Sequence, residues 1–100
     1  MTALKDIADK VRSKNAGPFW LTIDIFCGSE DAFKRVSQGL ETAEVAKLFK
    51  ADSATLKRFD MPDLNVVKFS LPRPAVQGTH ADRDMHGASF AVLLGEVQIA

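Results

Sequence analysis

Residues 19–27 read Phe19-Trp20-Leu21-Thr22-Ile23-Asp24-Ile25-Phe26-Cys27, the most regularly alternating run in the chain. Phe19, Leu21, Ile23, Ile25 and Cys27 fall on one side of an extended chain, and Trp20, Thr22, Asp24 and Phe26 on the other. A period of two among aromatic and β-branched residues predicts a strand with one face turned to a core. Asp24 is the odd member of the second face, where Thr22 and Phe26 suit a half-buried surface.

Upstream, the strand leaves a corner, Arg12-Ser13-Lys14-Asn15-Ala16-Gly17-Pro18. Before the corner, Leu4, Ile7, Ala8 and Val11 recur at i, i+3, i+4 and i+7, which predicts a first helix over 3–14. Asn15 continues that apolar line one turn beyond Val11, with Arg12 and Lys14 on its flanks. Asn15 and Gly17 suit the left-handed conformation that ends helices, and Pro18 forbids continuation.

Downstream, Gly28-Ser29 breaks the strand, and Ser29 caps a short helix whose buried side is Ala32, Phe33 and Val36 and whose stop is Gly39. Thr42 caps a third helix to about Lys50, and Asp52 or Ser53 caps a short fourth ending near Phe59. Met61-Pro62-Asp63 turns the chain into a second strand, Leu64 to Leu71, which Pro72-Arg73-Pro74 ends. From there to Phe90 periodicity fades, and a last strand falls within Leu93–Ile99. A loop this long in a compact domain is uncommon and often functional.

The expected fold is a small single α+β domain over residues 1–100, with an N-terminal helix, about three strands and two to three short helices. Three strands make a narrow sheet with an edge to cover, by a partner or by the long loop. One hundred residues bury roughly two-thirds of their unfolded surface, enough for a core without disulfide or metal. Hydrophobic residues at 46% and charged residues at 26% are ordinary globular values. Thirteen basic and thirteen acidic residues cancel, so no overall field draws the chain to phosphate backbones or anionic membranes. The single cysteine, Cys27, excludes an intramolecular disulfide, and no signal-peptide core or membrane-span run is visible. The expected location is the cytoplasm.

Three constellations could carry chemistry. Residues 43–59 resemble a helix-turn-helix that would place Lys57 and Arg58 on its second helix. Lys50 stands where that motif wants glycine, acidic residues bracket the two cations, and a packed helical hairpin explains the same pattern. Nucleic acid is therefore a disfavoured partner. His80 and His86 with Asp82 and Asp84 could ligate a divalent metal, but no ligand spacing is present and a solvated loop is the favoured reading. No metal and no cofactor is expected. The third is the cationic set Arg12, Lys14, Arg73 and Arg83, with Asn15 on the core-facing line between the first two, Arg73 held between two prolines, and Asp24 the nearest acceptor in sequence. A polar network that fixes the fold is favoured over a carboxylate or phosphate pocket at its edge.

Ser13-Lys14-Asn15-Ala16-Gly17-Pro18 with Leu21-Thr22-Ile23-Asp24-Ile25, then Pro72-Arg73-Pro74, Gly78, Asp82-Arg83-Asp84 and Gly87-Ala88, resembles a family of small uncharacterised domains. Members accompany acyclic-terpene-utilisation proteins of the AtuA type, as a neighbouring small protein or a C-terminal extension. The resemblance runs from Leu4 to Ile99. After Gly87-Ala88 members tend to carry amides and a histidine, whereas this chain has Ser89-Phe90-Ala91. What the resemblance implies is a companion subunit of a larger AtuA-like protein in catabolism of acyclic terpenoids or related organic acids. It supplies no catalytic residue. Arg12, Lys14, Asn15, Asp24, Arg73, Asp82, Arg83, Asp84 and His86 are then the ligand or interface candidates, and a homo-oligomer is the other assembly to consider. The alternative is an independent small enzyme or metabolite binder using the 78–87 loop.

Overall fold

The computed structural model describes residues 2–17, 19–49, 51, 54–72 and 89–99. The elements, in order, are β1 (Thr2–Ala3), α1 (Leu4–Ile7), β2 (Lys10–Asn15), β3 (Trp20–Phe26), α2 (Glu30–Gly39), α3 (Thr42–Leu48), β4 (Lys57–Met61), β5 (Val66–Pro72), α4 (Ser89–Gly95) and β6 (Gln98–Ile99). The α+β class holds, with more strands than the sequence suggested. β1 and β6 form a two-stranded ribbon, and the main sheet is antiparallel in the order β2-β3-β5-β4.

β3 is the predicted strand, and its alternation does what the pattern requires. Leu21, Ile23 and Ile25 are fully buried, and Cys27 is buried just beyond the strand end. Phe19 lies outside the strand and is exposed. Across β5 the same side continues as Val67, Phe69 and Leu71, and these six sheet residues form one cluster with Phe33, Val36, Val45, Ala46 and Leu94 of α2, α3 and α4. All three longer helices therefore cover one side of the sheet.

The first helix is a correction. Only Leu4–Ile7 is helical, closed by the bond from Ala8 N–H to Leu4 O, and residues 10–15 are strand. β2 pairs with β3 along its whole length, from Lys10 opposite Phe26 to Asn15 opposite Leu21. A central strand as apolar as β3 cannot leave its backbone polar groups unpaired, and that tertiary demand overrides a weak helical stripe. Val11, the last member of the stripe, serves equally well as an inward strand residue. The corner is a hairpin turn, not a helix end: Ala16 N–H donates to Trp20 O, and Gly17 has φ +85°.

α2 fits its sequence closely. Ser29 Oγ accepts from Ala32 N–H at 3.1 Å, and Phe33 and Val36 are buried. α3 starts at Thr42, but Glu41 occupies its cap position and makes no side-chain cap bond. The expected fourth helix is a second correction. Residues 57–61 form strand β4, joined to β5 by a turn over 62–65 in which Asn65 takes φ 54°. Lys57 and Arg58 therefore sit on a sheet, and the helix-turn-helix is absent. The last segment is helix α4 followed by the two residues of β6, in place of one strand over 93–99. Among the described residues no helix is long and apolar enough to cross a membrane.

Candidate functional site

Among the described residues the helices pack on one side of the main sheet, and the residues of the second side follow from the register. Antiparallel neighbours directly opposite each other share a side, so alternation on one strand fixes the residues beside it. One row is Lys14, Thr22, Ser70 and Lys57; the next is Arg12, Asp24, Lys68 and Phe59; the third is Lys10, Phe26, Val66 and Met61. Trp20 and Pro72 form a further row beyond the first. Among the described strand residues, Lys10, Arg12, Lys14, Lys57 and Lys68 thus share this side with a single carboxylate, Asp24. The chain as a whole is neutral, so the sheet concentrates positive charge on its helix-free side. The exposed rings in these strands are Trp20 at 40%, Phe26 at 37% and Phe59 at 49%.

Arg12, Lys14, Asp24 and Phe26 line a small cavity of about 150 Å³ at the β2 edge. Asp24 lies directly opposite Arg12 in the register, yet the two form no ion pair within 4 Å. The cations are therefore not consumed by their neighbour. Thr22 is 8% exposed and its Oγ1 is buried without a hydrogen-bond partner. That hydroxyl is a buried polar group left unsatisfied beneath the cationic rows, not one presented at the surface.

Of the residues singled out in the sequence, Arg12, Lys14 and Asp24 come together on this side. Asn15 does not join them, because it is opposite Leu21 and faces the helices. The expectation that Asn15 and Asp24 share a network is corrected by the alternation itself: residues 12 and 14 point one way, residue 15 the other. Arg73, Asp82, Arg83, Asp84 and His86, with His80, lie outside the described residues.

A second polar centre was missed. Arg58 projects from β4 to the helix side and is 16% exposed at its side chain. Its Nε donates to Asp60 Oδ1 at 2.8 Å, its Nη2 to Ser37 O at 2.8 Å, and its Nη1 to Leu40 O. The guanidinium carbon lies 5.6 Å from the centre of the Phe69 ring. Ser37 Oγ donates to Asp60 Oδ2 at 2.8 Å. The carbonyls at the end of α2, which no helical N–H can reach, are thus satisfied from the sheet. Burial of Asp60 works to raise its pKa, but the hydrogen bonds from Arg58 and Ser37 and the guanidinium charge outweigh it, and the carboxyl sits below its ordinary value. Cys27 is pushed the other way, up, by burial and then by the charge of Asp60, so its thiol is held in the unreactive form. This centre ties the end of α2 to the sheet.

A family model described as "Domain of unknown function (DUF4387)" matches residues 4–98. The chain belongs to that family. No curated protein and no solved structure matches it. The DUF4387 match spans all of the described elements from α1 onwards except the last residue of β6, so the cationic sheet side lies within it.

Proposed function

We propose that this DUF4387 chain is an interaction subunit that docks through the helix-free side of its main sheet onto an acidic surface of a larger protein. The observation that carries the proposal is the segregation of Lys10, Arg12, Lys14, Lys57 and Lys68 beside exposed Trp20, Phe26 and Phe59 in a chain with no net charge. Aromatic rings set among cations are the usual anchors of protein interfaces, where the rings supply desolvated area and the charges supply orientation and on-rate. The family resemblance read from the sequence names a partner, an AtuA-like protein of acyclic terpenoid or organic-acid catabolism.

A nucleic-acid strand is the competing occupant of a cationic sheet. Consecutive stacked bases need aromatic rings a base apart on adjoining strands. Here Trp20 and Phe26 stand at opposite ends of β3, about 20 Å apart at strand rise, with the Asp24 carboxylate between them. That spacing favours a protein surface. The alternative of a metabolite binder on the 78–87 loop falls on residues outside the described set, and no observation favours it.

The test is co-expression with an AtuA-like neighbour followed by gel filtration, for the wild-type chain and for the Arg12→Glu/Lys14→Glu variant. Co-elution that the charge reversal abolishes and added salt weakens supports the proposal. Elution of the wild-type chain apart from the neighbour, with no change in the neighbour's activity, refutes it. Tight, salt-sensitive binding of a single-stranded oligonucleotide by the chain alone would replace the protein partner with nucleic acid.

A further inference from the structure

β4 is an edge strand: it pairs with β5 on one side, and on the other none of the described residues hydrogen-bonds to its backbone. Free sheet edges are templates for pairing, and natural proteins blunt them with charge. The charges of β4 are ordered in a way that permits one specific pairing. We propose that two copies of this chain join along their β4 edges, antiparallel and about a two-fold axis through Phe59, to make one continuous eight-stranded sheet.

The sequence of the strand, Lys57-Arg58-Phe59-Asp60-Met61, is complementary to itself about its centre. With Phe59 on the axis, Lys57 faces the second copy's Met61, Arg58 faces Asp60, and the two Phe59 rings face each other. Opposite charges meet, an aromatic pair sits at the centre, and the lysine stem lies over a methionine, all favourable cross-strand pairs. Neighbouring registers are excluded. A shift of one residue flips the second sheet, so that its helix side adjoins the first copy's helix-free side. The next registers that keep both helix-free sides together place Arg58 against Arg58 or Asp60 against Asp60. The Phe59-centred register is free of both faults. It needs no rearrangement of the Arg58 centre, whose bonds to Asp60, Ser37 and Leu40 lie within each copy.

Space is available as well as complementarity. Arg58, Phe59, Asp60, Met61 and Lys68 line an open groove of about 600 Å³ along this edge, on which the second copy's Phe59 and Met61 would rest. Phe59 is half exposed in the single chain, a position the axis would bury. The fused sheet would also place the two cationic sides next to each other, with Trp20 and Phe26 of each copy left for a partner and Phe59 taken into the axis.

Five paired residues make a small interface, at the weak end of the range for specific association, so the dimer should dissociate at micromolar concentration. Sedimentation velocity from about 1 to about 200 µM should show a concentration-dependent monomer–dimer equilibrium. Phe59→Asp, which sets two carboxylates on the axis, should raise the dissociation constant at least about tenfold, with circular dichroism checking that the variant is folded. Register is read by cross-linking. Phe59→Cys should give a disulfide-linked dimer on mild oxidation, because directly opposed strand residues lie within disulfide reach. Lys57→Cys alone should not, whereas a mixture of Lys57→Cys and Met61→Cys proteins should. The native Cys27 is buried and does not interfere. A monomer at the highest concentration overturns the proposal, as does a dimer that Phe59→Asp leaves intact. Failure of Phe59→Cys to cross-link overturns it even if Phe59→Asp does not fold.

Discussion

The heaviest single side chain in this fold should be Arg58, and its removal gives a quantitative test. Arg58→Ala takes away the partner of Asp60, leaves Ser37 O and Leu40 O at the end of α2 without their donor, and strips the cation from the Phe69 ring. Each lost hydrogen bond to a charged group costs about 1.5–3 kcal/mol when its partner is left buried. The costs share one guanidinium and do not add in full, and Asp60 is a third exposed, so water repairs part of the damage. We therefore expect about 3 kcal/mol in all, a large share of the roughly 5–15 kcal/mol that holds a domain of this size together. For a hundred-residue chain that is a fall of roughly 12–24 °C in Tm.

Urea and thermal unfolding followed by far-ultraviolet circular dichroism would measure it, with Arg58→Lys and Asp60→Asn as companions. Lysine keeps the charge but lacks the planar fork that reaches a carboxylate and two carbonyls at once, so Arg58→Lys should recover only about half the loss. A cost below about 1 kcal/mol for Arg58→Ala would mean that the centre behaves as an ordinary surface ion pair. Full recovery in Arg58→Lys would mean that charge, not geometry, is what the end of α2 requires. Either result would show that the Arg58 fork does not hold the end of α2 to the sheet.

Gly28 has φ +83°, and a Cβ there would meet Asp9 Cβ at 2.9 Å, whereas Gly17 at φ +85° has nothing within 4 Å. Both alanine substitutions carry the left-handed penalty of about 1–2 kcal/mol, and Gly28→Ala should cost measurably more than Gly17→Ala in the same denaturation assay. Thr22→Val removes a buried hydroxyl that has no partner, and should leave stability unchanged or raise it by up to about 1 kcal/mol. The acid limb of stability should depend on Asp60: its folded pKa is below the ordinary 3.8, so its contribution is present above that value and is lost as pH falls through the folded one. Asp60→Asn should flatten that limb of a stability-against-pH curve. Cys27 has the opposite sign: its folded pKa is above the ordinary 9.0, so stability is intact below that and declines as pH rises through the folded value. A thiol reagent should label it only on unfolding.

How much of this was legible in the sequence depends on where each strand's partner information is written. β3 was readable because its core is on itself: Leu21, Ile23 and Ile25 state the period without help. α2 was readable because its cap, its buried stripe and its stop are all within eleven residues, Ser29 to Gly39. β2 and β4 were misread for a common reason. They are the edge strands, and their inward positions are Val11, Ser13 and Asn15 in one and Arg58 and Asp60 in the other, polar residues with a single exception. A polar residue can face the helix side only if a distant group satisfies it, and those groups lie far along the chain. Ser13 Oγ accepts from Ala91 N–H at the start of α4, 78 residues away, and Arg58 reaches carbonyls 18 and 21 residues upstream. No local periodicity can announce such a partner. What the sequence did carry was the outward half of β2, charged at Lys10, Arg12 and Lys14 in strict alternation, a period that fits a strand and not a helix. That alternation gathers the cations on one side of the sheet. Reading it as a strand would have removed Asn15 from the side that Arg12 and Lys14 share, whereas the places of Lys68 and Lys57 in the same rows follow only from the long-range pairing of β3 with β5 and of β5 with β4.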